Sequence, residues 1–411
     1  MDTSTVITRV SLAPAARRPL PAAPPSRPLL DARGARVILG ATGDPAALAR
    51  PVRPSARTMF GPRGVCAAGD GSLWVCDTGH HRVLGWHRLP DADAADADWL
   101  LGQPDFDREG RNARGTVDAL GMNVPTGLCA CGTDGRSLAV ADAWNHRVLI
   151  WQQRPQRSQS PPDVVLGQPH FRDGDPNRGL ATPRADTLFW PYCVAWDGTH
   201  LWVADTGNRR VLRWAGLPQR HGEAAELVLG QPDFTHRDEN AGCAPGAAGM
   251  RWPHALSFPA GGLCVADAGN NRLMLWRGPP TRQHAPCDLI VGQANAEAVG
   301  HNRGHYDPDA DSLNMPYGAV VAGDRLVVAD TANSRLLAWC IADLRRDGVP
   351  ARALAAQPDW QSKGDNRWRP AARDSVCWPY CVAVQGTQLL VADSGNNRVL
   401  LWPLHDTVHC P

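Results

Sequence analysis

Along most of the chain, apolar runs of four or five residues alternate with short loops rich in Gly, Asn and Pro. Leu201-Trp-Val-Ala204 precedes one such loop and Val211-Leu-Arg-Trp214 follows it, and Leu389-Leu-Val-Ala392 and Val399-Leu-Leu-Trp402 repeat the arrangement near the end. Two apolar runs parted by a Gly/Asn loop predict a β-hairpin. A further run stands ahead of each hairpin behind a proline, as in Pro125-Thr-Gly-Leu-Cys129 and Pro379-Tyr-Cys-Val-Ala383. A fourth run follows, as in Trp99-Leu-Leu-Gly102, Val164-Val-Leu-Gly167 and Leu227-Val-Leu-Gly230. Each unit therefore predicts one four-stranded antiparallel sheet, and no stretch longer than a turn or two shows the 3.6-residue period of an amphipathic helix.

The loop between the two hairpin strands is a phrase written six times: Asp77-Thr-Gly-His-His-Arg82, Asp142-Ala-Trp-Asn-His-Arg147, Asp205-Thr-Gly-Asn-Arg-Arg210, Asp267-Ala-Gly-Asn-Asn-Arg272, Asp330-Thr-Ala-Asn-Ser-Arg335 and Asp393-Ser-Gly-Asn-Asn-Arg398. Successive aspartates are 65, 63, 62, 63 and 63 residues apart, and a Trp stands four residues after each Arg. A sheet that needs neighbours on both faces cannot stand alone, so six of them in radial order predict an all-β, six-bladed β-propeller. The fourth-strand phrase also occurs as Val37-Ile-Leu-Gly40, ahead of the first unit. It is expected to supply the outer strand of the last blade and so tie the two ends of the chain together. The expected organisation is a disordered Pro/Ala/Arg-rich lead-in over 1–34, one propeller over 35–405 and a short tail over 406–411.

The phrase Asp-Ser/Thr-Gly-Asn-x-Arg, followed by an apolar strand and preceded by Pro-x-Gly, resembles the NHL repeat family of propellers. The resemblance covers roughly residues 35 to 405 and implies the propeller fold. It leaves activity open, since similar propellers serve as binding scaffolds, RNA readers and lyases.

Composition narrows this choice. With 42 Lys and Arg against 41 Asp and Glu, the net charge is +1. The RNA-reading propellers of this kind carry a clearly basic face, so no nucleic-acid partner is expected. The first 34 residues lack the apolar core of a secretory signal and the length of a membrane span, so no membrane association is expected either. Of the twelve cysteines, Cys66, Cys76, Cys129 and Cys264 fall inside predicted strands, where a small hydrophobe fits, and a reducing cytoplasm is the expected location.

In a four-stranded blade, the Asp-to-Arg loop, the proline entry and the connection to the next blade all lie on one side. Five connections carry a Gln followed nine positions later by an Asn: Gln103 and Asn112, Gln168 and Asn177, Gln231 and Asn240, Gln293 and Asn302, Gln357 and Asn366. Such regularity points to amides that pin loop backbone, with Phe106, Phe171, Phe234 and Trp360 filling gaps between blades. The six Asp and Arg pairs are likewise expected to be structural, as charge-assisted hydrogen bonds tying each hairpin loop to its surroundings.

Positions where the units differ carry more information. The residue after the entry proline is Arg63, Thr126, Tyr192, His254, Tyr317 and Tyr380 in blades one to six, and the chain holds only four tyrosines. This places phenols and an imidazole in an arc at the channel mouth, with Trp190, Trp252, Met315 and Trp378 expected behind it as an apolar footing. Amphipathic rings converging on a concave mouth suit a ligand pocket or a protein hot spot. Cys193 and Cys381 stand next along the strand, three blades apart and expected to face each other across the axis, too far for a disulfide.

No metal or cofactor is expected. The chain has no Cys-x-x-Cys pair, and the acidic runs Asp91 to Asp98 and Asp307 to Asp311 do not match calcium-loop spacing. The loop histidines His80, His81 and His146 are expected to be solvated. With no nucleophile-base pair evident, the leading expectation is a non-enzymatic scaffold that binds another protein. A metal-dependent lyase or lactonase would need acidic, Asn or His ligands around the axis, and the inner strands offer no acid there. A small-molecule sensor using the rings as a cage for a cation is the third alternative.

Overall fold

The computed structural model describes residues 26–41 and 52–405. Their architecture is six four-stranded antiparallel blades around one axis. From the inside outward, blade 1 is Gly64–Ala67, Leu73–Asp77, Arg82–Trp86 and Trp99–Leu101, and blade 2 is Pro125–Cys131, Ser137–Asp142, Arg147–Trp151 and Val164–Leu166. Blade 3 is Pro191–Trp196, Leu201–Asp205, Arg210–Trp214 and Leu227–Leu229, and blade 4 is Pro253–Ser257, Leu263–Asp267, Arg272–Trp276 and Leu289–Val291. Blade 5 is Pro316–Ala322, Arg325–Asp330, Arg335–Cys340 and Ala353–Ala355. Blade 6 is Pro379–Gln385, Gln388–Asp393 and Arg398–Pro403, with Val37–Gly40 paired antiparallel to its third strand. Each inner strand touches the next, and that of blade 6 touches that of blade 1.

The core is divided into six clusters, each lying between two adjacent blades. Leu138, Val140 and Leu149 of blade 2 pack on Trp74, Cys76 and Val83 of blade 1, and Leu390, Ala392 and Leu401 of blade 6 pack on Val65, Val75 and Leu84 of blade 1. Every middle strand is thus covered on both faces, which is why its sequence reads as a continuous apolar run rather than an alternating one.

The Trp at or next to the end of each third strand has a common job. Its indole N–H donates to a carbonyl of the following loop: Ala95 for Trp86, Ser160 for Trp151, Glu223 for Trp214, Ala285 for Trp276 and Val349 for Trp339. In blade 6 the acceptor is Asp31, at 2.8 Å, so the N-terminal segment stands in for the missing loop. This segment departs from the expected disorder over residues 26–34. Arg27–Pro28 pairs in parallel with Ala353 and Leu354 on the outer edge of blade 5, and Leu29 and Leu30 are buried between blades 5 and 6, where their apolar area repays the ordering of the backbone. Residues 1–25 and 406–411 of the expected lead-in and tail lie outside the described residues.

Candidate functional site

The six Asp-to-Arg loops are built alike. After the Asp, three residues form a 3-10 turn, and the next residue is left-handed, with φ between 50° and 57°, at His81, His146, Arg209, Asn271, Ser334 and Asn397. In blade 3, Asp205 Oδ2 accepts from Arg210 Nε at 2.8 Å and from Asn208, while its Oδ1 accepts the backbone N–H of Phe189. The two Nη groups of Arg210 donate onward to Phe234 O and to Arg184 O and Thr187 O, so one guanidinium ties the connections before and after its blade. All six pairs are buried. Their carboxylates and guanidiniums are committed to these structural ties, Arg398 Nη1 being the one buried atom of the six pairs without a hydrogen-bond partner.

The connection amides lock onto the same loops. Gln168 Nε2 donates to His146 O and Asp175 O, and Asn177 exchanges two amide hydrogen bonds with Asn208, at 2.8 and 3.0 Å. Equivalent exchanges join Asn112 to Asn145, Asn302 to Asn333 and Asn366 to Asn396. In blade 1, His80 takes the place of the loop Asn. It is buried, not solvated as expected, with Nδ1 at 2.8 Å from Asp77. Burial alone would depress it, but the Asp77 carboxylate prevails and raises its pKa.

The left-handed residue makes the contact that sequence reasoning missed. Its side-chain acceptor takes the backbone N–H of the residue before the entry proline in the next blade. His81 Nδ1 receives Val124, His146 Nδ1 receives Trp190, Asn271 Oδ1 receives Met315, Ser334 Oγ receives Trp378 and Asn397 Oδ1 receives Gly61. All five recipients are themselves left-handed, with φ between 50° and 55°, an unfavourable state for Val, Trp and Met. The exception confirms the cause. Arg209 has only donors, and Trp252 of the next blade is not left-handed but bonds to Asp267. The histidines serve as neutral acceptors: burial pushes His146 down to about 4 and also lowers His81.

The indoles before the entry prolines face outward whether or not their backbone is left-handed. Trp190, Trp252 and Trp378 do not form a footing beneath the tyrosines, as expected, but stand out at 41%, 37% and 39% exposure. Trp190 lies instead against Phe189, centroids 4.7 Å apart, and stacks over exposed Trp144 at 6.4 Å.

The residues after the prolines do come together. Ring centroids are 4.8 Å apart from Tyr192 to His254, 4.3 Å from His254 to Tyr317 with the planes 12° apart, and 4.6 Å from Tyr317 to Tyr380. The Arg63 guanidinium lies 4.7 Å from the Tyr380 centroid. Five blades thus form an unbroken belt, and blade 2 completes the circle with the small, buried Thr126. Burial takes His254 down to about 4, opposed by its hydrogen bond to Trp252 O and aided by the Arg63 charge. Burial, then the neighbouring phenols of Tyr380 and Tyr192, push Tyr317 up.

Next along the inner strands, the thiols expected to face each other across the axis pack between neighbouring blades, Cys193 against the cluster of blades 3 and 4 and Cys381 against that of blades 6 and 1, its Sγ 3.8 Å from Val65 O. Burial, followed by the proximity of Cys381, pushes Cys193 up to about 12, so both are protonated thiols rather than nucleophiles. Where other blades have glycine, the reason is close approach: a Cβ on Gly127 would lie 2.6 Å from Tyr192 O. Among the described residues, no group of three or more His, Cys, Asp or Glu is placed to hold a metal. The acidic runs act as loop ties, with Asp93 accepting from Ile38 N and Asp96 paired with Arg57. Among the described residues, no helix is long and apolar enough to cross a membrane.

No curated protein matches the chain. Among solved structures, a protein of unknown function from Bacteroides thetaiotaomicron is similar at 10% identity and a TM-score of 0.48, over 85% of this chain and 71% of its own. The virginiamycin B lyase of Staphylococcus aureus is similar at 10% identity and 0.43, over 86% and 99%. A nidogen/laminin complex is similar at 16% identity and 0.38, over 68% and 76%. None is close enough to carry a partner or an activity to this chain. The family model for the NHL repeat matches residues 61–86, from the entry of blade 1 to the Trp that ends its third strand. The chain is therefore a six-bladed β-propeller that carries an NHL repeat in its first blade.

Proposed function

We propose that this propeller is a non-enzymatic scaffold whose loop-rich face docks another protein, with the belt at the channel mouth inside the docking area. One observation carries the reading. Among the described residues, the large hydrophobics that are exposed are Phe60, Leu120, Trp144, Leu180, Trp190, Trp252, Tyr306, Trp368 and Trp378, and each belongs to a loop of that single face. Scattered exposed hydrophobics are ordinary on a soluble protein, but their restriction to one face of a disc marks an interaction surface. Tryptophan, tyrosine and arginine are also the side chains that dominate binding hot spots. The interblade hydrogen bonds support this further, since they fix the backbone at Trp190 and Trp378 before any partner arrives, reducing the ordering cost of association.

The partner is expected to be a protein rather than a nucleic acid, given the near-neutral net charge. A reducing cytoplasm is supported by ten free thiols among the described residues, while the disulfide at Cys340 speaks against it. Copurification of the tagged full chain from its native host tests the reading. A stoichiometric companion protein is expected, and recovery of the chain alone under gentle conditions would overturn it.

A further inference from the structure

The belt at the mouth carries an uncompensated charge. Arg63 stands half-buried at the axis, over the Tyr380 ring. Its charge is felt by His254, Tyr317 and Tyr380, on the three blades preceding its own around the ring. Among the described residues it has no carboxylate within ion-pair distance, although such partners are found for most of the arginines around the disc. The groups surrounding it are three phenols and one imidazole, none of them a carboxylate. A cation in a partly desolvated place without a counter-charge favours an anion from outside. The same geometry removes the expected cation cage, because the chain's own guanidinium already occupies the face of Tyr380.

We infer that the channel mouth is a binding site for a single carboxylate group, held by the Arg63 guanidinium and by phenol hydroxyls of Tyr192, Tyr317 and Tyr380. A guanidinium offers two parallel N–H donors that match the two oxygens of a carboxylate, and neutral phenols add donors without adding charge. One positive charge neutralises one carboxylate, whereas a phosphate dianion would leave a negative charge uncompensated among buried rings. Thr126, small and on the blade next to Arg63, leaves the belt thinnest where a group enters from the loop face. The carboxylate comes either from a small free acid or from an acidic side chain or C-terminus of a docked protein. In the second case the inference deepens the scaffold reading and rests on it.

The test titrates the purified full chain with sodium acetate against sodium chloride at equal ionic strength, following the thermal midpoint and, by NMR, the titration of the His254 imidazole. Acetate is expected to raise the midpoint saturably and to raise the pKa of His254, since a bound negative charge offsets Arg63. In Arg63→Gln acetate should bind about tenfold more weakly or not at all, while Arg63→Lys keeps part of the response. Should Arg63→Gln fail to fold, Tyr192→Phe serves in its place, with a smaller loss expected. Equal responses to acetate and chloride, an unchanged response in Arg63→Gln, or tighter binding of inorganic phosphate than of acetate would overturn the inference. Copurification separates the two sources. A companion retained by wild type and lost from Arg63→Gln identifies a partner's carboxylate, whereas acetate binding without any companion leaves a free-acid site and defeats only the scaffold reading. A companion lost from Trp190→Ala but retained by Arg63→Gln upholds the scaffold and defeats the partner as the source of the carboxylate, and if acetate also fails to bind it defeats the site.

Discussion

His146 Nδ1 accepts the backbone N–H of Trp190 at 3.2 Å, so a ring at the end of one blade's turn ties down the left-handed backbone ahead of the next blade's entry proline. The bond exists only while the imidazole is neutral. Burial, opposed weakly by Asp175, holds the folded pKa at about 4 against an ordinary 6.5. Because the folded value is the lower one, the associated stability is present above pH 6.5 and is lost as pH falls from there toward 4. The full loss is about 3 kcal/mol at one pKa unit per 1.36 kcal/mol. His146→Asn, which supplies the acceptor found in blades 4 and 6, is expected to lack this component. Thermal midpoints of both proteins between pH 7 and 4 check it: the difference should narrow or reverse in favour of the Asn variant as pH falls.

Arg210→Met should be severe. It strands the buried Asp205 carboxylate and removes donors to Phe234 O, Arg184 O and Thr187 O at once. Breaking a buried pair from one side costs about 3–5 kcal/mol. Chemical denaturation is expected to show a loss of that order.

Gly127→Ala probes the spacing of inner strands. Its Cβ would lie 2.6 Å from Tyr192 O and 2.8 Å from Cys193 Cα, both belonging to the next blade's backbone. Relief requires the inner strands of blades 2 and 3 to part, at about 1–3 kcal/mol. The expected signature is lowered stability together with a perturbed environment of Tyr192, seen in the near-ultraviolet circular dichroism.

Much of this was legible in the residues, and the remainder was not for physical reasons. The period of the Asp-to-Arg phrase and its flanking apolar runs identified four strands per blade and six blades, because a strand covered on both faces leaves a plain apolar signature. The variable position after the entry proline announced the belt, since three of the four tyrosines fall there. The fifth position of the phrase gave no such signal. His81, His146, Asn271, Ser334 and Asn397 look unrelated until their shared ability to accept a hydrogen bond is noticed, and four of the five recipients lie 43 or 44 residues further on, in another blade. Nothing in the local sequence signals the outward placement of Trp190, Trp252 and Trp378, so the indoles were expected beneath the phenols instead. Likewise Arg27 and Pro28 belong to a Pro- and Ala-rich stretch whose composition reads as disorder, and only the open outer edge of blade 5 makes a strand of them.

The most direct measurement compares capture of the native partner by two variants of the full chain, one altered on each face of the disc. Trp190→Ala with Trp378→Ala removes two exposed indoles from the loop-rich face, whereas Arg136→Ala alters an exposed side chain on the opposite one. Losing two hot-spot side chains at about 1–2 kcal/mol or more each should weaken capture at least about tenfold in the first variant and leave the second unchanged. Equal capture by both, or a loss confined to Arg136→Ala, would contradict the assignment of the binding surface to the loop-rich face.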